Sequence, residues 1–298
     1  MRNLLFYKYV EIKNLEKFQK DHLLFCKKIG ILGKILVAKE GINGCVSGDE
    51  EQLKKYMTEL KKDKRFKDIE FKITHTKNHN FKKIFVRIRK EIVTMKNPSV
   101  VISHKAGYIE PQELKKLLDE EKDVILLDAR NIYESDVGKF ENALIAPIDT
   151  FSEFPSFVEK IKDFKHKKIV TYCTGGIRCE KASAYLKEQG FTDVQQLHGG
   201  IIRYGQECGN SHWQGKCFVF DNRGAIDIDP EKQAEPVTQC VLCNLPCETM
   251  HNCDYTACDK RFVCCKNCLE VLHHCCSKDC RNKLEKSVAF PRLCAYCE

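Results

Sequence analysis

Thirteen of the chain's nineteen cysteines fall between Cys240 and Cys297. A short stretch so dense in thiols and so poor in large apolar side chains cannot rest on a hydrophobic core alone; it needs covalent or metal staples. Met1 to Lys8 contains too few apolar residues for a signal-peptide core, so a cytoplasmic location is expected and disulfides are not. Eight of the cysteines form four ligand-like pairs: Cys240-x2-Cys243, Cys253-x4-Cys258, Cys265-x2-Cys268 and Cys276-x3-Cys280. Such spacings are those of zinc knuckles, and eight thiolates fill two tetrahedral sites. Two structural zinc ions are therefore expected. Pairing of first with third and second with fourth, a cross-brace, and sequential pairing are both open, and iron–sulfur is an alternative. Cys247, Cys264, Cys275, Cys294 and Cys297 are surplus, with His251, His273 and His274 as further candidates. The competing reading is a small core of reduced thiols. No acid or base accompanies the pairs, so the sites read as closed and structural.

The remaining length, within 298 residues, leaves room for about two more domains. No apolar run approaches the ~20 residues of a membrane span, so no membrane association is expected. Charge is as uneven as cysteine. Residues 1–100 hold 24 Lys and Arg against 12 Asp and Glu, whereas the rest of the chain has a net charge of −4. A basic excess confined to one end suggests a polyanion partner; a merely solvated lysine surface is the alternative.

Region 1–95 reads as a ferredoxin-like α+β domain. Leu4 to Ile12 alternates as a strand, and Asn14 opens a helix that runs to Gly30. Lys34 to Ala38 is a strand, Glu40-Gly41-Ile42-Asn43-Gly44 a turn, and Cys45 to Ser47 the returning strand. A second helix from Asp49 to Leu60 and strands at Ile69–Thr74 and Ile84–Arg89 complete a split β-α-β-β-α-β pattern. Lys61, Lys62, Lys64, Arg65 and Lys67 form one basic cluster. Lys82, Lys83, Arg87, Arg89 and Lys90 form another, and Lys82, Lys83, Arg87 and Arg89 are the nucleic-acid-binding candidates. Phe66, Phe81 and Phe85 lie among them and are assigned to the core.

Region 106–213 alternates strands and helices, which implies a doubly wound parallel sheet. Val124 to Asp128 and Lys168 to Tyr172 are continuous apolar runs suited to strands buried on both faces. The second leads into Cys173-Thr174-Gly175-Gly176-Ile177-Arg178-Cys179 and then a helix. Ligands in such sheets sit at the carboxyl ends of strands. The two glycines let several N–H groups face one point, and the helix N-terminus adds positive potential. Both favour a reactive thiolate at Cys173, with Arg178 as a fixed cation. Cys179 is a possible second thiol or a small core residue. Region 214–298 holds a hairpin around Asn222-Arg223-Gly224 and then the cysteine pairs.

Asp128-Ala129-Arg130, Gly138 to Ala143, the Cys173–Arg178 loop and His198-Gly199-Gly200 resemble a rhodanese domain. Rhodaneses carry sulfur as a persulfide on the loop cysteine, which would be Cys173. A tighter resemblance spans nearly the whole chain. Phe6-Tyr7-Lys8-Tyr9, Glu40 to Gly44, Tyr172 to Ser183 and Phe218-Val219-Phe220-Asp221 are similar to the bacterial rhodanese-type tRNA uridine hydroxylases. That resemblance implies an oxidoreductase that forms 5-hydroxyuridine at the wobble position of tRNA, with molecular oxygen as co-substrate and tRNA as partner. No Rossmann fingerprint or P-loop is present, so no nucleotide cofactor is expected. Cys173 would add to uridine C6 or activate oxygen as a persulfide. The competing functions are a sulfurtransferase that delivers persulfide sulfur and a non-catalytic RNA-binding scaffold.

Overall fold

The computed structural model describes residues 1–258 and 260–289. Cys294 and Cys297 lie outside the described residues. The first unit contains β1 (Arg2–Tyr9), α1 (Leu15–Ile29), β2 (Leu32–Ala38), β3 (Gly41–Gly48), α2 (Glu50–Lys62), β4 (Phe71–His75) and β5 (Ile84–Ile88). Asn14 caps α1 by accepting from the Lys17 N–H, and Gly30 ends it in the left-handed region. Asp49 and Gln52 form a reciprocal capping box on α2. The sheet order is β4-β1-β3-β2-β5. The first four strands make the antiparallel split arrangement expected from the sequence. β5 is an addition, joining the edge parallel to β2.

The turn lies elsewhere than expected. β3 begins at Gly41, so Gly41 to Gly44 is strand and only Lys39 and Glu40 reverse the chain. The glycines there serve close packing: a Cβ on Gly44 would sit 2.5 Å from the Phe6 ring, and one on Gly41 would sit 2.0 Å from the Lys8 carbonyl.

Alternation sorts the sheet into two faces. Leu4, Phe6, Ile35, Val37, Ile42, Val46 and Val86 pack under the helices with Cys26, Leu53, Tyr56 and Phe66. Leu5, Tyr7 and Tyr9 of β1, Asn43 and Cys45 of β3 and Lys72 of β4 occupy the opposite face. That face meets the second unit.

The second unit runs β6 (Gly107–Ile109), α3 (Pro111–Asp119), β7 (Val124–Asp128), α4 (Ile132–Asp136), β8 (Gly138–Phe140), β9 (Leu144–Ile145), α5 (Phe154–Val158), β10 (Lys168–Tyr172), α6 (Ile177–Glu188), β11 (Asp193–Leu197) and α7 (Gly200–Cys208). Its sheet is parallel throughout, in the order β6-β11-β10-β7-β9. Leu126, Val170 and Tyr172 point into one core and Leu127 and Ile169 into the other, as strands buried on both faces require. The Asp128-Ala129-Arg130 turn is a buried clamp. Arg130 holds Asp128 at 2.6 Å and donates to the Gly138 carbonyl at 2.7 Å, tying β7 to β8.

β12 (Trp213–Gly215) pairs back to β8. The expected hairpin forms from β13 (Cys217–Phe218) and β14 (Ala225–Ile226). A second hairpin, β15 (Met250–Asn252) and β16 (Arg261–Val263), then leads to α8 (Lys266–Val271) and α9 (Lys278–Ala289). Phe262, Leu269 and Leu272 supply a minimal core among the cysteines. Among the described residues no helix is long and apolar enough to cross a membrane.

Candidate functional site

Cys173 follows β10 directly, and α6 begins four residues later. The turn is made possible by Gly176, at φ +100. Its N–H donates to Cys173 Sγ at 3.1 Å. Gly200, the first residue of α7, closes the loop from the side: a Cβ there would lie 2.4 Å from the Cys173 carbonyl. This accounts for the His198-Gly199-Gly200 sequence.

Burial alone would raise the Cys173 pKa. The Cys179 thiol donating to it, the Arg178 charge and the N–H groups of Arg178 and Gly176 outweigh burial, and the pKa falls well below the ordinary thiol range. Cys179 moves the opposite way, through burial and the hydrogen bond to its neighbour. Cys179 is thus the proton-holding partner of the pair. The Arg178 side chain is not free. Glu134, itself buried, takes both of its terminal nitrogens at 2.5 and 2.8 Å. Arg178 therefore acts on Cys173 through its field and its main chain.

The sequence blocks quoted above converge here. Leu5 lies over Gly175, where a Cβ would meet it at 2.7 Å. The Tyr7 hydroxyl donates to Glu180 at 3.0 Å, and the Tyr9 hydroxyl donates to the Ile177 carbonyl at 3.4 Å. Glu40 accepts from Lys181 at 3.0 Å, and Glu91 accepts from the same ammonium at 2.7 Å. From the other side Thr174 donates to the Phe218 carbonyl at 3.5 Å, while Asn3 donates to Asp221 at 3.0 Å. The N-terminal sheet is therefore the roof of the Cys173 loop, and Cys173 is fully buried beneath it.

One residue of this roof escaped the sequence reading. Lys72 is buried on the same face, paired in register with Leu5, its ammonium 5.2 Å from the Tyr7 ring. Burial lowers its pKa, opposed in part by the charges of Glu70 and Cys173. In sequence it is one lysine in a lysine-rich domain. The available signal was its alternation with Phe71 and Ile73, which points it away from the helices.

The eight cysteines assemble into two groups, Cys240/Cys243/Cys265/Cys268 and Cys253/Cys258/Cys276/Cys280, with all sulfurs of each group within 4.8 Å. This is the cross-brace pairing. A tetrahedral ion with ~2.3 Å bonds to sulfur needs sulfurs about 3.8 Å apart. Cys243–Cys265 is 3.8 Å, Cys258–Cys276 3.7 Å and Cys276–Cys280 3.6 Å. The N–H groups of Cys265 and Cys276 point at Cys240 and Cys253 sulfur, as around thiolate ligands. The two groups fit metal. Cys264 and Cys275 are buried beside them and Cys247 is buried nearby.

The four nucleic-acid candidates divide. Lys83 and Arg87 lie over the Phe85 ring, at 5.0 and 4.5 Å. Arg89 follows on the same face by alternation. Lys82 is exposed ahead of β5 and is not among the residues over that ring. Phe66 is core as expected, but Phe85 is half-buried on the face away from the helices, under its two cations.

Models of three families match the chain in order: a UPF0176 acylphosphatase-like domain over residues 1–92, a rhodanese-like domain over 110–207 and a rhodanese C-terminal region over 214–281. Three relatives are named tRNA uridine(34) hydroxylase. The protein of Cytophaga hutchinsonii is 42% identical over 95% of this chain and 90% of its own length. That of Bacillus licheniformis is 45% identical over 94% and 88%, and that of Bacillus cytotoxicus 43% over 94% and 87%. The chain belongs to this family.

Proposed function

We propose that the chain is a tRNA uridine(34) hydroxylase that replaces the C5 hydrogen of the wobble uridine by hydroxyl, with molecular oxygen as co-substrate, in the cytoplasm. The observation that carries the reading is whole-chain identity above 40% to proteins of that name, supported by a loop whose N–H groups and Arg178 charge favour a thiolate at Cys173. Cys173 sulfur adds to uridine C6, and the electron pair moves toward the C4 oxygen, making C5 nucleophilic. C5 then takes one oxygen atom, its proton leaves and the S–C6 bond breaks. The other oxygen atom becomes water with two electrons and two protons from a two-electron donor. Loop N–H groups, rather than the Arg178 side chain that Glu134 holds, serve as donors for the developing oxyanion. Lys83, Arg87 and Arg89 contact phosphate. Each four-cysteine group holds one structural zinc ion, which folds the C-terminal region.

Mass spectrometry of tRNA nucleosides from a deletion strain tests the reading. 5-Hydroxyuridine and its derivatives should vanish and return with the wild-type gene. They should stay absent with Cys173→Ser, whose protein should remain folded; Cys179→Ser should be milder. Loss of a thionucleoside instead would mean that the persulfide of a sulfurtransferase is the product-forming group.

A further inference from the structure

Six of the 24 Lys and Arg of residues 1–100 take part in ion pairs among the described residues, Arg2 with Glu50 and Lys8 with Asp68 among them. Lys17, Lys55, Lys62 and Arg65 pair with Asp21, Glu51, Glu59 and Asp63. On the face away from the helices, the β2–β5 edge gathers cations beside an aromatic ring. Lys34 of β2 stands opposite Phe85 in register, and Leu36 opposite Arg87. Burial lowers the Lys34 pKa, and the charges that add to this are those of Arg87, Arg89 and Arg261, all cations. Among the described residues none of these four takes part in an ion pair.

Arg261 comes from the other end of the chain. It lies in β16, between the two cysteine groups, four residues before Cys265. Its guanidinium lies 4.6 Å from the Tyr133 ring centre, 5.5 Å from Phe218 and 5.6 Å from Phe220. Its Nε donates to Asn252 at 3.2 Å, but Nη1 is buried without a partner among the described residues. A buried donor without an acceptor costs free energy unless something else supplies one. Phe220 is 55% exposed and packs edge-on against Phe218 at 5.0 Å. Phe218 receives the Thr174 hydroxyl of the Cys173 loop, and Tyr133 precedes Glu134, which holds Arg178. Lys34 pairs in register with Cys45 of β3, Cys45 with Leu5 of β1, and Leu5 lies over Gly175, so the β2–β5 cations sit two strands from the loop on the side where Arg261 and its rings meet it. Like charges gathered from two units and unpaired among the described residues call for an anion that spans both, and the exposed Phe220 ring among them suits an unstacked base.

We propose that Lys34, Arg87 and Arg89 of the N-terminal sheet, with Arg261 and Phe220 of the C-terminal region, form one binding cleft for a single-stranded RNA segment beside the Cys173 loop. The cations neutralise successive phosphates, and Phe220 stacks a base. This rests on the tRNA reading above and adds to it a role for the cysteine-rich region: its metal-held hairpin presents Arg261 to the RNA.

The test is fluorescence anisotropy of the full, metal-loaded chain with a labelled anticodon stem-loop RNA, over a salt series. Arg261→Gln should reduce the log–log salt slope by about 0.7, and Arg87→Gln with Arg89→Gln by about 1.4. Phe220→Ala should weaken binding by about tenfold with little change in slope. Arg261→Lys should restore the slope, which a purely structural role for the guanidinium would not allow. Lys28→Gln, on α1, should leave both quantities unchanged. Wild-type slopes in the Arg261→Gln and Arg87/Arg89 variants overturn the proposal, even if 5-hydroxyuridine depends on the gene. Failure of the wild type to bind this RNA overturns it as well. If the gene proves irrelevant to 5-hydroxyuridine but the slopes shift as stated, the cleft stands and the hydroxylase reading falls.

Discussion

At Cys173 a single sulfur is surrounded by main-chain N–H groups and roofed by another domain. In the two cysteine groups four sulfurs crowd one another, and main-chain N–H groups reach only some of them. Both arrangements stabilise thiolate, by different means. Around Cys173 the fold itself provides the field: the Cys179 thiol, the Arg178 charge and the loop N–H groups favour the anion against burial. In the cross-brace, Cys268 is pushed up by its hydrogen bond with Cys265 and by burial, while main-chain N–H groups draw its partner Cys240 down against burial. Four thiolates within 4.8 Å cannot coexist without a cation between them. The difference shows that a cysteine's chemistry is set by what replaces water around it. A preformed field leaves the sulfur reactive, whereas a shared ion consumes it in folding.

Removing a metal ligand should break this comparison most severely. Structural zinc sites supply roughly 10–16 kcal/mol of apparent binding free energy. Cys243→Ala or Cys268→Ala should cost one metal equivalent and abolish hydrogen-exchange protection over β15, β16 and α8, while β10 and α6 keep theirs. Elemental analysis and peptide-resolved exchange read both. Two equivalents of metal in Cys268→Ala protein would show that the groups are not the sites.

A second effect, smaller, sharpens the Cys173 side. The difference in ultraviolet thiolate absorbance between wild type and Cys173→Ser should show a titration step well below the ordinary ~8.5 of a free thiol. The folded pKa lies below the unfolded one, so this thiolate contributes stability that is fully present above ~8.5. That contribution is lost as pH falls through the depressed folded value. The stability advantage of wild type over Cys173→Ser should therefore shrink on acidification across that window. A difference step at or above the free-thiol value would remove the field argument.

Much of this was legible in sequence because it is local. Strand runs, caps at Asn14 and Asp49, the Cys173–Arg178 loop and the four cysteine pairs all depend on near neighbours. The cross-brace was not legible, because spacing fixes pairs and only the β15–β16 hairpin fixes which pairs meet. Gly41 and Gly44 read as a turn because glycine is ambiguous. Their true cause is a tyrosine-flanked strand, β1, pressing Phe6 and the Lys8 carbonyl against them. The roof over Cys173 was hidden for the same reason. Tyr7 and Glu40 act on α6 across more than a hundred residues, and no periodicity encodes which sheet face will be covered.

The smallest predicted effect concerns that roof. Tyr7 donates to Glu180, but Glu180 also accepts from Tyr108 at 2.7 Å and pairs with Lys105 at 2.7 Å. Tyr7→Phe therefore removes one hydrogen bond without stranding the carboxylate, a loss of about 1–2 kcal/mol. The ring, its packing on Gly176 and the Lys181 ion pairs remain, so the domain should stay docked but open more often. If reclosing is fast relative to labelling, the labelling rate of Cys173 by a small electrophile follows the open fraction. It should rise by about 5- to 30-fold in Tyr7→Phe. Labelling of the eight cross-brace cysteines in metal-loaded protein should not change, because their protection comes from the ion and not from the sheet. Equal Cys173 labelling in both proteins would mean that β1 does not gate the sulfur, and that a substrate reaches it from the Phe218 side instead.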